Sequence, residues 1–200
     1  MKIGVFGGSF NPIHNGHLAL AEYATDEAGL DYTIIIPAYE SPFKLGTGGP
    51  EAMHHFRMAE LAVAGNRRLA VSDREVTKTE TSFTVDTLRE LQEEHPGDRL
   101  YFIIGTDSFY EIERWKGAEE LLGSYGFVVG HRPGYENEKL DAFAEAIRGK
   151  YHAEVVLADI PQLEISSTDI RRRIREGKSI RYLVPDAVRD YINENGLYRD

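Results

Sequence analysis

The chain has 200 residues, 42% hydrophobic and 28% charged, with a formal net charge of −10 and no cysteine. It is long enough to bury an ordinary core, and its acidic balance disfavours a broad nucleic-acid surface while leaving room for a small anion in a local basic pocket. Disulfides, thiolate metal sites and cysteine nucleophiles are excluded, which fits a cytoplasmic location; no stretch approaches the ~20 apolar residues of a membrane helix, and the N-terminal apolar run is too short for a secretory signal core.

In chain order, short apolar runs alternate with amphipathic stretches. Residues 2–6 read as a buried strand. Residues 16–28 read as a helix with Leu18, Ala21, Ala24 and Ala28 inward. "YTIIIP" at 32–37 is a second strand, followed by a Gly-, Pro- and Ser-rich loop over 38–50. A helix at 51–64, a strand at 68–73, a helix at 84–94 and a strand at 99–105 follow. A short helix at 118–122, strands at 126–130 and 153–159, and helices at 137–149, 166–177 and 185–195 complete the chain. The alternation predicts a Rossmann-like α/β fold: a doubly wound, mostly parallel sheet with helices on both faces and a helical C-terminal end. With no repeat, low-complexity tract or linker, 1–200 reads as a single domain. The loops at 38–50 and 73–83 are long enough to suggest function. Ligands of such sheets bind beyond the carboxyl ends of the strands, where strand order reverses, and the unusual residues cluster there.

The first is the turn "GGSFNPIHNGH" at 7–17. Gly7 and Gly8 suit positive φ and close backbone approach, and Pro12 stiffens the turn. The helix then starts near Asn15 and Gly16, so its free N–H groups and positive dipole end face the loop. His14 and His17 sit within one turn of each other there, each able to donate to a phosphate oxygen. Gly16 would let a flat base or ribose lie against the backbone. A lone histidine at a helix start is ordinarily a cap or a solvated residue; two in this glycine context point to phosphate. A zinc site lacks a third nearby ligand and the metalloprotease spacing. The turn is neither the G-x-G-x-x-G of dinucleotide oxidoreductases nor a P-loop.

The second signal is "EISSTDIRRRI" at 164–174. Ser166, Ser167, Thr168 and Asp169 cap or line a helix N-terminus, with Arg171 on its first turn. Alone this reads as a capped surface helix; beside a phosphate site it forms a polyanion cradle.

Together, H-x-G-H early and I-S-S-T-x-I-R late resemble the H-x-G-H nucleotidyltransferases, and within them the bacterial nicotinate-nucleotide adenylyltransferase family. "SPFK" at 41–44 sits where that family has P-P-H-K. "TSFTVDTL" at 81–88, "IIGTDSF…RW" at 103–115, "RPG" at 132–134 and the ending "VPDAVRDYINENGLY" match further segments. The resemblance implies adenylyl transfer from ATP to nicotinate mononucleotide, giving deamido-NAD and pyrophosphate, with Mg²⁺ held mainly by ATP and no dedicated metal site. It implies His14, His17, Lys44 and Arg171 as the catalytic, phosphate-handling groups. Gly7, Ser9, Phe10, Gly16, Gly105, Asp107, Ile165, Ser166 and Ser167 would complete the ATP site, Asp107 accepting from a ribose hydroxyl. Gly8, Ser9, Phe10, Lys44, Thr84, Trp115 and Arg132 would hold the nicotinate nucleotide, with Trp115 stacking on the pyridine. Trp115 also reads as core packing, and Thr84 as an N-cap of the 84–94 helix.

The chain departs from the family pattern at Ser41, Phe43, Asn11, Phe83 and Lys116, the last where an aromatic residue is frequent. These departures bear on the acid-versus-amide preference more than on the adenylyl transfer. Nicotinamide mononucleotide and phosphopantetheine adenylyltransferases, and a non-catalytic nucleotide-binding regulator, are the alternatives. An aminoacyl-tRNA synthetase is disfavoured by the short, acidic chain. The expected partners are ATP and nicotinate mononucleotide, with no nucleic acid and no membrane; homo-oligomer formation is left open.

Overall fold

The computed structural model describes residues 1–39, 50–78, 82–131, 138–161 and 163–199, with the side chains of Pro50 and Glu51 left aside. The strands are β1 (Lys2–Gly8), β2 (Tyr32–Pro37), β3 (Leu69–Val71), β4 (Arg99–Gly105), β5 (Gly126–His131) and β6 (Glu154–Asp159). The helices are α1 (Asn15–Glu27), α2 (Pro50–Val63), α3 (Thr84–Glu94), α4 (Thr106–Tyr110), α5 (Ala118–Ser124), α6 (Glu138–Tyr151), α7 (Ser167–Arg175) and α8 (Asp186–Glu194). A 3₁₀ turn at Ile112–Arg114 follows α4.

All six strands pair in parallel in the order β3-β2-β1-β4-β5-β6. The central strands are apolar on both faces, as in β4, where five consecutive residues are buried. One core layer holds Val85, Leu88, Phe102, Phe109, Leu121 and Ile147. The other holds Ala21, Ala24, Met58, Ile170, Val188 and Ile192, so α1, α2, α7 and α8 share the opposite face. Strand order reverses between β1 and β4, which opens a crevice at their carboxyl ends.

Several boundaries differ from the sequence reading. β1 runs on to Gly8, pairing Gly7 with Ile36 and Gly8 with Pro37. Both glycines are therefore extended strand residues, and the positive φ of the turn falls on Phe10 at 41°. In α1, Thr25 is fully buried beside Ala21 and Ala24 while Leu18 is only partly buried. Thr25 is admitted because its hydroxyl donates to Ala21 O at 2.6 Å and meets Thr33 Oγ1 at 2.7 Å. β3 keeps only three residues as an edge strand. α4 was not expected: five residues are too few to show a helical period, and the burial of Phe109 anchors it.

Candidate active site

β1 ends in the crevice, and the site is built on both sides of that end. On the α1 face, His14 is the N-cap of α1 and His17 its third residue. They form a reciprocal capping box: His17 N–H donates to His14 Nδ1, and His14 N–H donates to His17 Nδ1, each at 3.3 Å. The two rings stack with centroids 3.5 Å apart. Because each Nδ1 accepts, each ring carries its proton on Nε2 and has that N–H left for a ligand. Burial holds the His14 imidazole down at about 4, and burial together with the neighbouring ring holds His17 down at about 3. Both rings are therefore neutral donors at physiological pH.

Phe10 supports this pair from below. Its ring is 1% exposed and meets His17 edge-on at 5.0 Å and Phe6 at 5.2 Å. Its side chain thus faces the core, and only its backbone is left for a nucleotide. Gly16 lies where a Cβ would come within 3.1 Å of His14 Nδ1 and 3.5 Å of Leu163 O, so a side chain would press on the imidazole that must stay in place. Two of the helix N–H groups expected to be free are already used, Asn15 N–H by Leu183 O and His17 N–H by His14.

The α7 motif comes to this turn from far along the chain. Ser167 Oγ donates to Pro12 O at 2.9 Å, and Arg171 Nη1 donates to Asn11 O at 2.6 Å while its Nη2 reaches Thr168 Oγ1 at 3.3 Å. Ser166 caps α7 by accepting from Asp169 N–H at 3.1 Å. Ser166, Ser167 and Arg171 thus stand beside the histidine turn, and Ile165 immediately precedes them, partly buried. Asn11 Oδ1 is buried in the turn with no hydrogen-bond partner among the described residues.

On the α3 face lies a cavity of about 350 Å³, lined by Gly7, Gly8, Ser9, Thr84, Phe102 and Trp115 among others. Trp115 is partly buried, edge-on to Phe102 at 5.9 Å, and serves both as core and as cavity wall. Thr84 is the first residue of α3, not its cap: Phe83 holds the N-cap position without a side-chain hydrogen bond. Ala38 N–H donates to Gly8 O at 2.9 Å, which closes the wall toward β2. Gly105 is the exposed N-cap of α4, with Asp107 exposed in its first turn. Lys44, Arg132 and the departures Ser41 and Phe43 lie outside the described residues.

Glu75 and Ser82 also stand in the wall and were not expected there. Glu75 is 8% exposed and accepts from Thr87 Oγ1 at 2.6 Å. Burial raises its pKa above the ordinary carboxylate value. Ser82 Oγ is buried in the wall with no hydrogen-bond partner among the described residues. The long 73–83 loop was the available signal; the pairing with Thr87 is tertiary and leaves no local pattern. Across the crevice, His131 Nε2 lies 3.2 Å from Asp159 Oδ1 at the ends of β5 and β6.

Among the described residues no group of three or more His, Asp or Glu side chains could hold a metal ion, and no helix is long and apolar enough to cross a membrane.

A family model described as Cytidylyltransferase-like matches residues 5–173. A chain of Desulfitobacterium hafniense named "Probable nicotinate-nucleotide adenylyltransferase" is 41% identical over 201 residues, 99% of this chain and 96% of that one. A chain of the same name from Geobacter sulfurreducens is 42% identical over 213 residues, 99% of this chain and 98% of that one. Among solved structures, the Plasmodium falciparum nicotinic acid mononucleotide adenylyltransferase complexed with NaAD superposes with a TM-score of 0.78, at 23% identity over 98% of this chain and 97% of that one. That likeness carries the fold, and the full-length sequence identities carry the kinship: the chain belongs to the nicotinate-nucleotide adenylyltransferase family, within the cytidylyltransferase-like nucleotidyltransferases.

Proposed function

We infer that this chain is an enzyme that transfers the adenylyl group of ATP to nicotinate mononucleotide, giving deamido-NAD and pyrophosphate in NAD biosynthesis. One observation carries the reading. The end of β1 separates an apolar cavity walled by Trp115 from an imidazole pair joined to the α7 start. A pyridine nucleotide in the first and ATP phosphates at the second would meet across Gly7–Ser9.

In the reaction an oxygen of the nucleotide's phosphate bonds to the α-phosphorus of ATP. The bond from that phosphorus to the bridging β-oxygen breaks, and pyrophosphate leaves with its electron pair. No enzyme-bound covalent intermediate is needed, so the protein contributes positioning and charge stabilisation. The Nε2–H groups of His14 and His17 would donate to phosphate oxygens as charge shifts, and a neighbouring triphosphate would draw both rings toward the protonated form. Arg171, Ser166 and Ser167 would hold the pyrophosphate end, and Lys44 would reach the phosphates from the loop after β2. Mg²⁺ would enter with ATP as part of that substrate, its ligands mainly phosphate oxygens. The buried Ser82 hydroxyl, Thr84 and Trp115 would receive the pyridine. Chemistry of this kind on freely diffusing nucleotides suits a cytoplasmic enzyme.

The test is pyrophosphate release from ATP with Mg²⁺, offering nicotinate mononucleotide, nicotinamide mononucleotide and phosphopantetheine in separate assays. Preference for nicotinate mononucleotide is expected. Release with phosphopantetheine alone would keep the chemistry and change the substrate; no release with any of them would favour a non-catalytic binder.

A further inference from the structure

The cations of this acidic chain are not spread evenly. Residues 171–181 carry six of them against the single carboxylate of Glu176, a formal charge of +5 in a chain of −10. Part of this has a local reason: Arg172, Arg173 and Arg175 stand in the last turn of α7, where positive charge offsets the helix dipole. That reason does not reach Lys178, beyond the helix, or Arg199, near the end of the chain. Yet Arg175, Lys178, Arg189 and Arg199 line one cavity of about 550 Å³ between the end of α7 and α8.

The neighbouring carboxylates do not balance these charges. Arg189 is paired twice, with Asp186 at 2.5 Å and Asp190 at 2.8 Å. Lys178 lies 2.8 Å from Glu176, but Arg172 also meets that carboxylate at 3.5 Å. Lys178 can therefore turn to an incoming anion and leave Glu176 paired. Arg175 has no carboxylate partner among the described residues, and Arg199 donates to Asn193 O at 3.3 Å. The loop that carries Lys178 is also fixed in place. Gly177, at a φ of 65°, turns the chain back so that its N–H donates to Ile174 O and Lys178 N–H to Arg173 O, a Schellman closure. Arg173 Nε then holds Ser179 O at 2.9 Å. Ile174 and Ile180 supply apolar wall between the cations.

We propose that this cavity is a second anion site, separate from the histidine turn, and that its ligand is a small oligophosphate, an anion of two or more linked phosphates. Guanidinium forks match phosphate oxygens. The cations come from α7, the loop after it, α8 and the chain end, so the ligand must present charged oxygens on several sides; linked phosphates do so and a single carboxylate does not. The charge is gathered around a recess and not laid along a stripe, and the acidic remainder of the chain repels a long polyanion. The site is also distinct in place. Ser167 and Arg171 bind the turn at Pro12 and Asn11, whereas the cavity lies at the other end of α7, a helix about 13 Å long. The assignment does not depend on the adenylyl-transfer reading.

The experiment is calorimetric titration of pyrophosphate, inorganic phosphate and sulfate into the wild type and three variants: Arg175→Gln with Lys178→Gln, Arg199→Gln, and His14→Asn with His17→Asn. Urea unfolding checks that each is folded. Pyrophosphate is expected to bind more tightly than phosphate or sulfate. The Arg175→Gln, Lys178→Gln variant is expected to weaken this binding about 10- to 100-fold, and Arg199→Gln about tenfold, as charge-assisted hydrogen bonds are lost. Both are expected to keep the wild-type kcat and KM for ATP, and the histidine variant to keep the site. Pyrophosphate binding that none of the cation substitutions moves, or that the histidine variant abolishes entirely, overturns the proposal. Equal affinity for pyrophosphate and sulfate overturns it as a mere cationic surface. Tighter binding of a short single-stranded RNA, lost in the same cation variants, overturns it in favour of a nucleic-acid face.

Discussion

The rings of His14 and His17 stack 3.5 Å apart, and each accepts a hydrogen bond from the other's backbone N–H. A helix cap and a pair of reactive donors are thus the same object. The capping geometry fixes both tautomers, so two Nε2–H groups are set before any ligand arrives, without reorganisation at the moment of reaction.

The first prediction concerns acid stability. Both imidazoles titrate lower in the folded protein than in the unfolded chain, at about 4 and about 3 against an ordinary 6.5. The unfolded state then binds more protons as pH falls through 6.5, so this contribution is intact above that value and is lost progressively toward pH 3. Urea unfolding at pH 7 and pH 5 is expected to show a larger loss for the wild type than for a His14→Asn, His17→Asn double variant. Equal losses would mean that the rings are not held neutral by burial.

The second concerns turnover. His17→Ala removes one preorganised donor and is expected to lower kcat by about 10²- to 10³-fold, an effect of roughly 2.7–4 kcal/mol. The KM for nicotinate mononucleotide is expected to stay within a few-fold of wild type. Single-turnover kinetics on a variant shown to be folded by circular dichroism is the measurement, and near-normal kcat would remove His17 from the chemistry.

The third separates Arg171 from a simple charge. Its guanidinium spans Asn11 O and Thr168 Oγ1, a two-point contact that a lysine cannot reproduce. Arg171→Ala is expected to raise the KM for ATP about tenfold or more and to cost about 1–3 kcal/mol of stability. Arg171→Lys is expected to recover little of either. If Lys restores ATP affinity fully, the fork to the turn has no bearing on the site.

The fourth uses Glu75. Its pKa is raised, burial being the largest cause, so ionising the carboxylate costs more in the folded than in the unfolded chain, and stability is lost as pH rises above the ordinary value of 4.5. Glu75→Gln keeps an acceptor for the Thr87 hydroxyl and removes the charge. Relative to wild type, this variant is expected to gain stability at pH 8 compared with pH 5. A constant difference across that range would show that Glu75 is not desolvated.

The sequence by itself determined the architecture, because apolar runs of strand length alternating with amphipathic helices admit few arrangements besides a parallel sheet covered on both faces. It also marked the turn at 7–17 and the α7 start, since paired histidines among glycines and a serine cluster before an arginine are local patterns. What the tertiary structure decided lies in contacts between distant segments. The side chain of Phe10 became a prop and not a ligand surface, because a positive φ turns its ring into the core beneath His17. Thr84 gave up the cap position to Phe83, and Glu75 became a cavity wall through a hydrogen bond to Thr87. The α7 motif reached the histidine turn only through Ser167 and Arg171, which bind carbonyls 155 and 160 residues earlier. Burial, tautomer and partner are set by neighbours that folding brings together, and a one-dimensional pattern carries no record of them.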